Sequence, residues 1–448
     1  MRVRMVCVLV LMIGAVGCGG SGGSSSSTPP PPPPPPFSKF IKHVVVIFQE
    51  NRTPDNLFHG LANADIANSG VDSAGKTIEL RPIALANTYD LSHEHSAFVE
   101  MYDHGRMDGA NLIKVDCAKG VNCHAPVDPQ FMYVDPDDVQ PYFNLAEKYT
   151  FGDRMFQTNQ GPSFPAHQFI IAGTSAPTAT SDLFAAENPV YPAGTPANPD
   201  SGCTAPTGTL VALIDTQGVE SSSMYPCFEH STLMDLLDAK MVNWRYYTPG
   251  GGSIWTGPTA IQHLRFGGDW AKVIVPQTKV LKDIANKDLA QVSWVIPTGQ
   301  DSDHAAVNDG TGPSWVALIV NAIGNSEYWD NTAIIITWDD WGGWYDHVPP
   351  PAIYDQYEYG FRVPLIVVSP YARQGYVSHV THDFGSVLKF IEEVFGLPSL
   401  GYADARADDL GDCFNLMQAP VVFQSVPSKV GVEFFMNDKR PPTDPDDD

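Results

Sequence analysis

The chain has 448 residues, 26 Lys and Arg against 51 Asp and Glu, and a formal net charge of −25. A surface that acidic repels nucleic acid, so no nucleic-acid partner is expected. With 43% hydrophobic residues, the part beyond residue 36 can bury a large core, as one α/β domain with insertions or as two domains.

Met1–Gly17 opens on Arg2 and Arg4, continues in an apolar run from Val6 to Val16, and ends in small residues before Cys18. That is the layout of a cleaved signal peptide, too short for a membrane span. Ala15-Val16-Gly17-Cys18 resembles a bacterial lipoprotein box with Cys18 as the lipidated residue, although Leu is usual where Ala15 stands. The alternative is ordinary secretion with a free leader. Residues 19–28 are almost all Gly and Ser, and Pro29–Pro36 is unbroken proline. A flexible piece followed by a polyproline rod of about 25 Å would space a membrane anchor from a folded domain. The expected location is therefore periplasmic or cell-surface, touching a membrane only through the Cys18 anchor. No later stretch approaches the ~18 consecutive apolar residues of a span.

Lys42–Phe48 is a β-branched run typical of a buried parallel strand, and it stops at Gln49-Glu50-Asn51-Arg52. Asp90–His95 carries His93 and His95. In Gln157–Pro165, Ser163 lies between Gly161-Pro162 and Phe164-Pro165 and opens the segment His167–Gly173. Residues about 176–228, rich in Pro, Gly, Ser and Thr, read as a loop-rich surface insertion, with a lid beside the active site as one role for it. Helical periodicity covers Ser231–Val242, Ser314–Ala322 and Ser386–Phe395. Strand patterns cover Val292–Ile296, Thr332–Trp338 and Val363–Val368; Asp303-His304 follows the first and Asp339-Asp340 the second. The alternation predicts an α/β fold, a mostly parallel central sheet with helices on both faces. The tail 441–448 is acidic and expected to be disordered.

Of the seven cysteines, Cys7 leaves with the signal and Cys18 is the candidate anchor. In an oxidising compartment Cys117–Cys123 and Cys203–Cys227 are the natural local disulfides, and Cys413 is left over. A zinc site is disfavoured, because no CxxC or close Cys/His pairing occurs.

In open α/β sheets, ligands bind beyond the carboxyl ends of the strands. Glu50-Asn51 and Asp339-Asp340 stand at two such ends. Four oxygen-bearing side chains suit one hard divalent cation. Either pair alone would read as an ordinary loop start or helix cap. Two pairs in equivalent positions point to a metal. Ser163 sits in a stiff turn at a helix start, where amide N–H groups favour a phosphate or an alkoxide. Gly312-Pro313-Ser314 has the same tripeptide and reads as a plain cap, and no Gly-x-Ser-x-Gly elbow exists. Ser163 would therefore need activation by a metal or a base. His93, His304, His347 and His382 are loop histidines; those after strand ends or near the acid pair suit phosphate binding or proton donation. Gly342-Gly343 would let the following loop fold back and bring His347 to the metal.

These residues resemble a family of bacterial phosphoesterases that includes non-specific phospholipases C and a respiratory-burst-inhibiting acid phosphatase, relatives of the alkaline phosphatase superfamily. The matching segments are His43–Phe58, Asp90–Gly109, Leu145–Ser175, Ile296–His304, Trp329–Pro351 and Tyr359–Leu400, nearly the whole exported part. The resemblance implies an alkaline-phosphatase-like catalytic domain over 37–440. It implies that Glu50, Asn51, Asp339, Asp340 and Ser163 surround one divalent metal ion. Ser163 matches the nucleophile, which is Thr in many phospholipases C. His93 and His304 match histidines that contact the phosphoryl group with Asn51, and His347 matches the Asp-His of the same loop. Two positions depart from the pattern: His167 replaces a common Asn, and Asp303 replaces a common Glu; either could alter the leaving-group side of the pocket. A counterpart of the large C-terminal domains of longer phospholipases C is not expected within these residues.

The expected activity is hydrolysis of a small phosphate ester of acid phosphatase type, with phospholipase C action on phospholipid head groups as the alternative. A sulfatase is disfavoured, because no Cys/Ser-x-Pro-x-Arg sequence occurs. A rival of another class is a non-catalytic surface lipoprotein that binds glycans or host proteins through its insertion.

Overall fold

The computed structural model describes residues 35–117, 123–351 and 359–441. The segments expected to be a signal peptide, a Cys18 anchor and a linker, up to Pro34, and the acidic tail from residue 442 lie outside the described residues.

Eight strands build the central sheet: β1 (His43–Gln49), β2 (Thr150–Gly152), β3 (Trp244–Tyr247), β4 (Val273–Ile274), β5 (Val292–Val295), β6 (Thr332–Trp338), β7 (Leu365–Val368) and β8 (Tyr376–Ser378). Their order is β4-β3-β5-β1-β6-β7-β2-β8. Seven run parallel, and β7 is antiparallel to both its neighbours. The expected mostly parallel sheet is thus present, and each predicted strand has its place. β7 reverses because the chain leaves β6 and re-enters at the same end of the sheet. The described residues between the two strands hold no helix that would carry the chain back.

Val44, Val45, Val46 and Ile47 are fully buried, each such side chain contributing about 1.5–3 kcal/mol. Two layers of helices cover them. The helix α1 (Ser163–Ala172) packs on α3 (Phe384–Phe395). Phe48 meets this layer, its ring 6.1 Å from both His167 and Phe384. Trp338 meets Tyr142 of the helix Gln140–Lys148 at 5.2 Å, and that helix packs on α2 (Gly312–Gly324). Phe48 is level with Thr337, the neighbour of Trp338. The two aromatic side chains therefore leave opposite faces of the sheet, and helices lie on both.

The insertion is more ordered than its composition suggested. It holds a three-stranded antiparallel sheet of Leu183–Ala185, Val211–Asp215 and Glu220–Met224. The apolar run Val211–Ile214 is a short strand that the surrounding turn residues masked. Both expected disulfides, Cys117–Cys123 and Cys203–Cys227, are formed, and Cys413 is a buried free thiol. No described helix is long and apolar enough to cross a membrane.

Several buried acids make the fold sensitive to pH. Burial pushes Asp301, Asp303 and Asp346 up to about 6, and Glu392 up to about 7. The folded chain thus holds protons that the unfolded chain has released, so stability falls as pH rises across that window. Asp55 and Asp408 are shifted the other way despite their burial, through hydrogen bonds with His347 and His382, and their contribution is lost only at lower pH. The melting temperature should rise between about pH 7.5 and about pH 5. A scanning-calorimetry series that finds it flat or falling would contradict this.

Candidate active site

β1 and β6 pair in register over their full length, from His43 opposite Thr332 to Gln49 opposite Trp338. They therefore end level, and Glu50-Asn51 emerges beside Asp339-Asp340. The Asn51 amide donates to Asp339 Oδ1 at 3.0 Å, and the Asp340 amide donates to the same oxygen at 2.8 Å. Asn51 takes a left-handed φ of 61°, and Gly342 passes so close that a Cβ there would lie 2.4 Å from the Asn51 carbonyl oxygen. Glycine is required at that crossing.

Ser163 is the first residue of α1 and fully buried. Its Oγ donates to Asp340 Oδ2 at 3.2 Å. Gly342 N donates to the other oxygen of Asp340 at 2.7 Å and fixes the carboxylate. Four residues beyond Ser163, one turn along the same helix face, stands His167. Its Nε2 lies 3.5 Å from Glu50 Oε2 and 3.8 Å from Asp339 Oδ2. Glu50, His167 and Asp339 bring ligand-type atoms within 4.8 Å of one another. Asp339 Oδ2 and Asn51 Oδ1 are buried and make no hydrogen bond among the described residues. A buried oxygen left so costs several kcal/mol unless a cation compensates it. These residues fit a bound metal ion. In the sequence His167 stands out only as a departure from the family pattern; its i, i+4 spacing from Ser163 is the signal of a shared helix face.

His93 and His304 come together on the other side of Asn51. His93 Nδ1 donates to the Leu91 carbonyl at 2.9 Å, which leaves Nε2 to accept from Asn51 Nδ2 at 3.2 Å. The His304 ring lies 5.9 Å from that of His93 and 6.1 Å from Trp255, with Nδ1 donating to the Ala305 carbonyl at 2.8 Å. Trp255 carried no signal in the sequence.

The insertion reaches this site. Asn188 Oδ1 accepts from the Phe164 amide at 2.9 Å, and a Cβ on Gly161 would lie 2.2 Å from the Ala186 carbonyl oxygen. Glu187 Oε1 accepts from the His95 amide at 2.9 Å, and His95 Nδ1 donates to the Gln160 carbonyl at 3.0 Å. The serine turn is thereby braced on two sides.

Two expectations need correction. His347 does not join the acids beyond β1 and β6. Its Nδ1 meets Asp55 Oδ2 at 2.8 Å and its Nε2 meets Asp65 Oδ1 at 3.1 Å. Asp55 and Asp346 are fully buried, and such charges demand cations. Arg362 answers both, with Nε 2.9 Å from Asp346 Oδ1 and Nη2 3.2 Å from Asp55 Oδ1, and His347 completes the group. Burial opposes a charge on His347, but the Asp55 hydrogen bond and the Asp55 and Asp346 charges outweigh it and raise its pKa to about 9. Asp303, the second departure, faces away from the site: its Oδ2 accepts from Tyr142 Oη and Trp338 Nε1, each at 2.9 Å. His382 lies elsewhere again, with Ser378 and Asp408.

A fold and a site of this kind define a class. Residues 41–398 match the phosphoesterase family, and the chain belongs to it. The hemolytic phospholipase C of Pseudomonas aeruginosa is 24% identical over 84% of this chain and 56% of its own length. The non-hemolytic phospholipase C of the same organism is 23% identical over 84% and 57%. This chain therefore spans little more than half the length of those two relatives. Phospholipase C A of Mycobacterium tuberculosis is 24% identical over 85% of this chain and 78% of its own. Among solved structures, an alkaline phosphatase superfamily protein from Vibrio parahaemolyticus aligns over 85% of this chain and 73% of its own, at 10% identity and a TM-score of 0.36.

Proposed function

We propose that the protein is an exported hydrolase of phosphate esters in which Ser163 is the nucleophile. The observation that carries this reading is the buried Ser163 hydroxyl, 3.2 Å from Asp340, beside Glu50, Asn51 and Asp339. Ser163 Oγ attacks phosphorus, the Oγ–P bond forms, and the ester P–O bond breaks in line with it. Asp340 accepts the hydroxyl hydrogen bond and is placed to hold the released proton. The start of α1 favours the negative charge that develops on Oγ. Asn51 holds a phosphoryl oxygen through Nδ2, His93 does so once Nε2 also carries a proton, and His304 is placed to protonate the leaving alcohol. Water then cleaves the Oγ–P bond and regenerates the hydroxyl. One divalent cation held by Glu50, Asn51, Asp339, Asp340 and Ser163 would lower the hydroxyl's pKa and screen charge at phosphorus.

Serine at the nucleophile position supports a broad phosphomonoesterase of acid phosphatase type. The names of the relatives favour a second reading, phospholipase C action on phospholipid head groups. p-Nitrophenyl phosphate and p-nitrophenyl phosphorylcholine separate the two. The first reading predicts a kcat/KM at least about 10-fold higher on the monoester, a difference of about 1.4 kcal/mol in barrier; the reverse order supports the phospholipase. EDTA should remove either activity and added metal restore it. No activity on either substrate, with or without metal, would favour the non-catalytic surface lipoprotein.

The leader and the two disulfides support export to a periplasmic or surface location, anchored through Cys18. Mass spectrometry of the mature N-terminus should find a lipid on Cys18; an unmodified N-terminus would leave plain secretion.

A further inference from the structure

The acids at the strand ends are hard oxygen donors, but the fold adds a nitrogen to them. His167 is fully buried on α1, between Glu50 of β1's end and Asp339 of β6's end. A charged imidazolium beside a carboxylate closes to about 2.7–2.9 Å. Here Nε2 stands off from both carboxylates, at 3.5 and 3.8 Å. Such separations are those of neighbouring donors around one small ion that takes imidazole nitrogen and carboxylate oxygen at about 2.0–2.2 Å. The Asp339 oxygen nearest to His167 makes no hydrogen bond among the described residues, as a ligand atom would not.

We propose that His167 is a direct ligand of the cation in this site, and that the site takes a borderline transition ion of the Zn²⁺, Fe²⁺ or Co²⁺ class in preference to Mg²⁺ or Ca²⁺. The proposal rests on the phosphoesterase reading and specifies its cofactor. Mg²⁺ and Ca²⁺ take shells of oxygen, and Mg²⁺ demands near-ideal octahedral geometry. Imidazole suits the later first-row ions, which bind it with a strength that oxygen donors do not match. A rigid helix holds the imidazole one turn from the nucleophile, so the nitrogen cannot withdraw when a hard ion arrives.

The test is calorimetric titration of the metal-stripped, full-length protein with Zn²⁺ and, separately, Mg²⁺, for wild type, His167→Asn and His167→Gln. Each variant supplies an amide oxygen in place of the ring. The expected result is a loss of Zn²⁺ affinity of about 100-fold or more with Mg²⁺ affinity changed less than about threefold, because only the soft contribution is removed. Unchanged Zn²⁺ affinity, or equal losses for both ions, would overturn the proposal. Should both variants misfold, proton NMR of the Co²⁺-loaded wild type decides. A hyperfine-shifted, exchangeable imidazole N–H signal is expected, and its absence overturns the assignment. Intact phosphatase turnover through Ser163 with no Zn²⁺ preference would sink this inference alone. Metal binding as described, with Ser163 dispensable for turnover, would sink the functional reading and spare the ligand.

Discussion

Ser163→Ala should lower kcat on a phosphate ester by about 10³-fold or more while the protein remains folded. The size of the effect follows from chemistry. Without Oγ no covalent intermediate forms, and the residual rate depends on water reaching a phosphorus that the site still binds. The structural cost is small by comparison. The hydroxyl is buried and gives one hydrogen bond, to Asp340, and losing one partner of such a bond costs about 1–3 kcal/mol. The N-cap of α1 is Pro162, with Ser163 the first residue inside the helix, so the substitution leaves the cap residue in place. Activity within about tenfold of wild type would remove Ser163 from the mechanism. A collapse of the melting transition would show instead that the serine serves packing.

The largest stability effect is expected at Arg362. Its guanidinium is fully buried and binds Asp346 and Asp55 at once, with the Asp65 and Asp153 carbonyl oxygens at 2.8 Å taking the two Nη1 hydrogens. Arg362→Met keeps much of the volume but leaves two buried carboxylates with only His347 to answer them. Breaking a buried pair from one side costs about 3–5 kcal/mol, because the remaining charge is desolvated and uncompensated. Denaturant unfolding should register a loss of that order, and adding Asp346→Asn to the variant should recover part of it. A loss under about 1 kcal/mol would mean that water already reaches the cluster.

The elements that position the site were legible in the sequence to different degrees. Lys42–Phe48 and Thr332–Trp338 announce themselves as β1 and β6, because a run of Val and Ile buried on both faces has few other uses. That their acid pairs stand at strand ends was legible as well. Their meeting was not, since it depends on β1 and β6 being neighbours in full register, a long-range fact that no local pattern encodes. Ser163 could be found from its turn, but His167 gains meaning only once α1 is laid against those strand ends. His347 misled for the same reason in reverse. Its distance from Asp340 along the chain is short, while the Asp55 and Asp65 that hold it come from near the start of the fold. The reversal of β7 and the small sheet of the insertion likewise rest on connections that composition does not report.

The central claim is that Ser163 itself carries the phosphoryl group. Acid-quenching the protein within its first turnover of a phosphate ester, followed by peptide mapping, should find phosphoserine on the peptide Gly161–Phe169 at Ser163. A phosphoryl group on any other side chain, or Ser163 unmodified throughout that turnover, would contradict it.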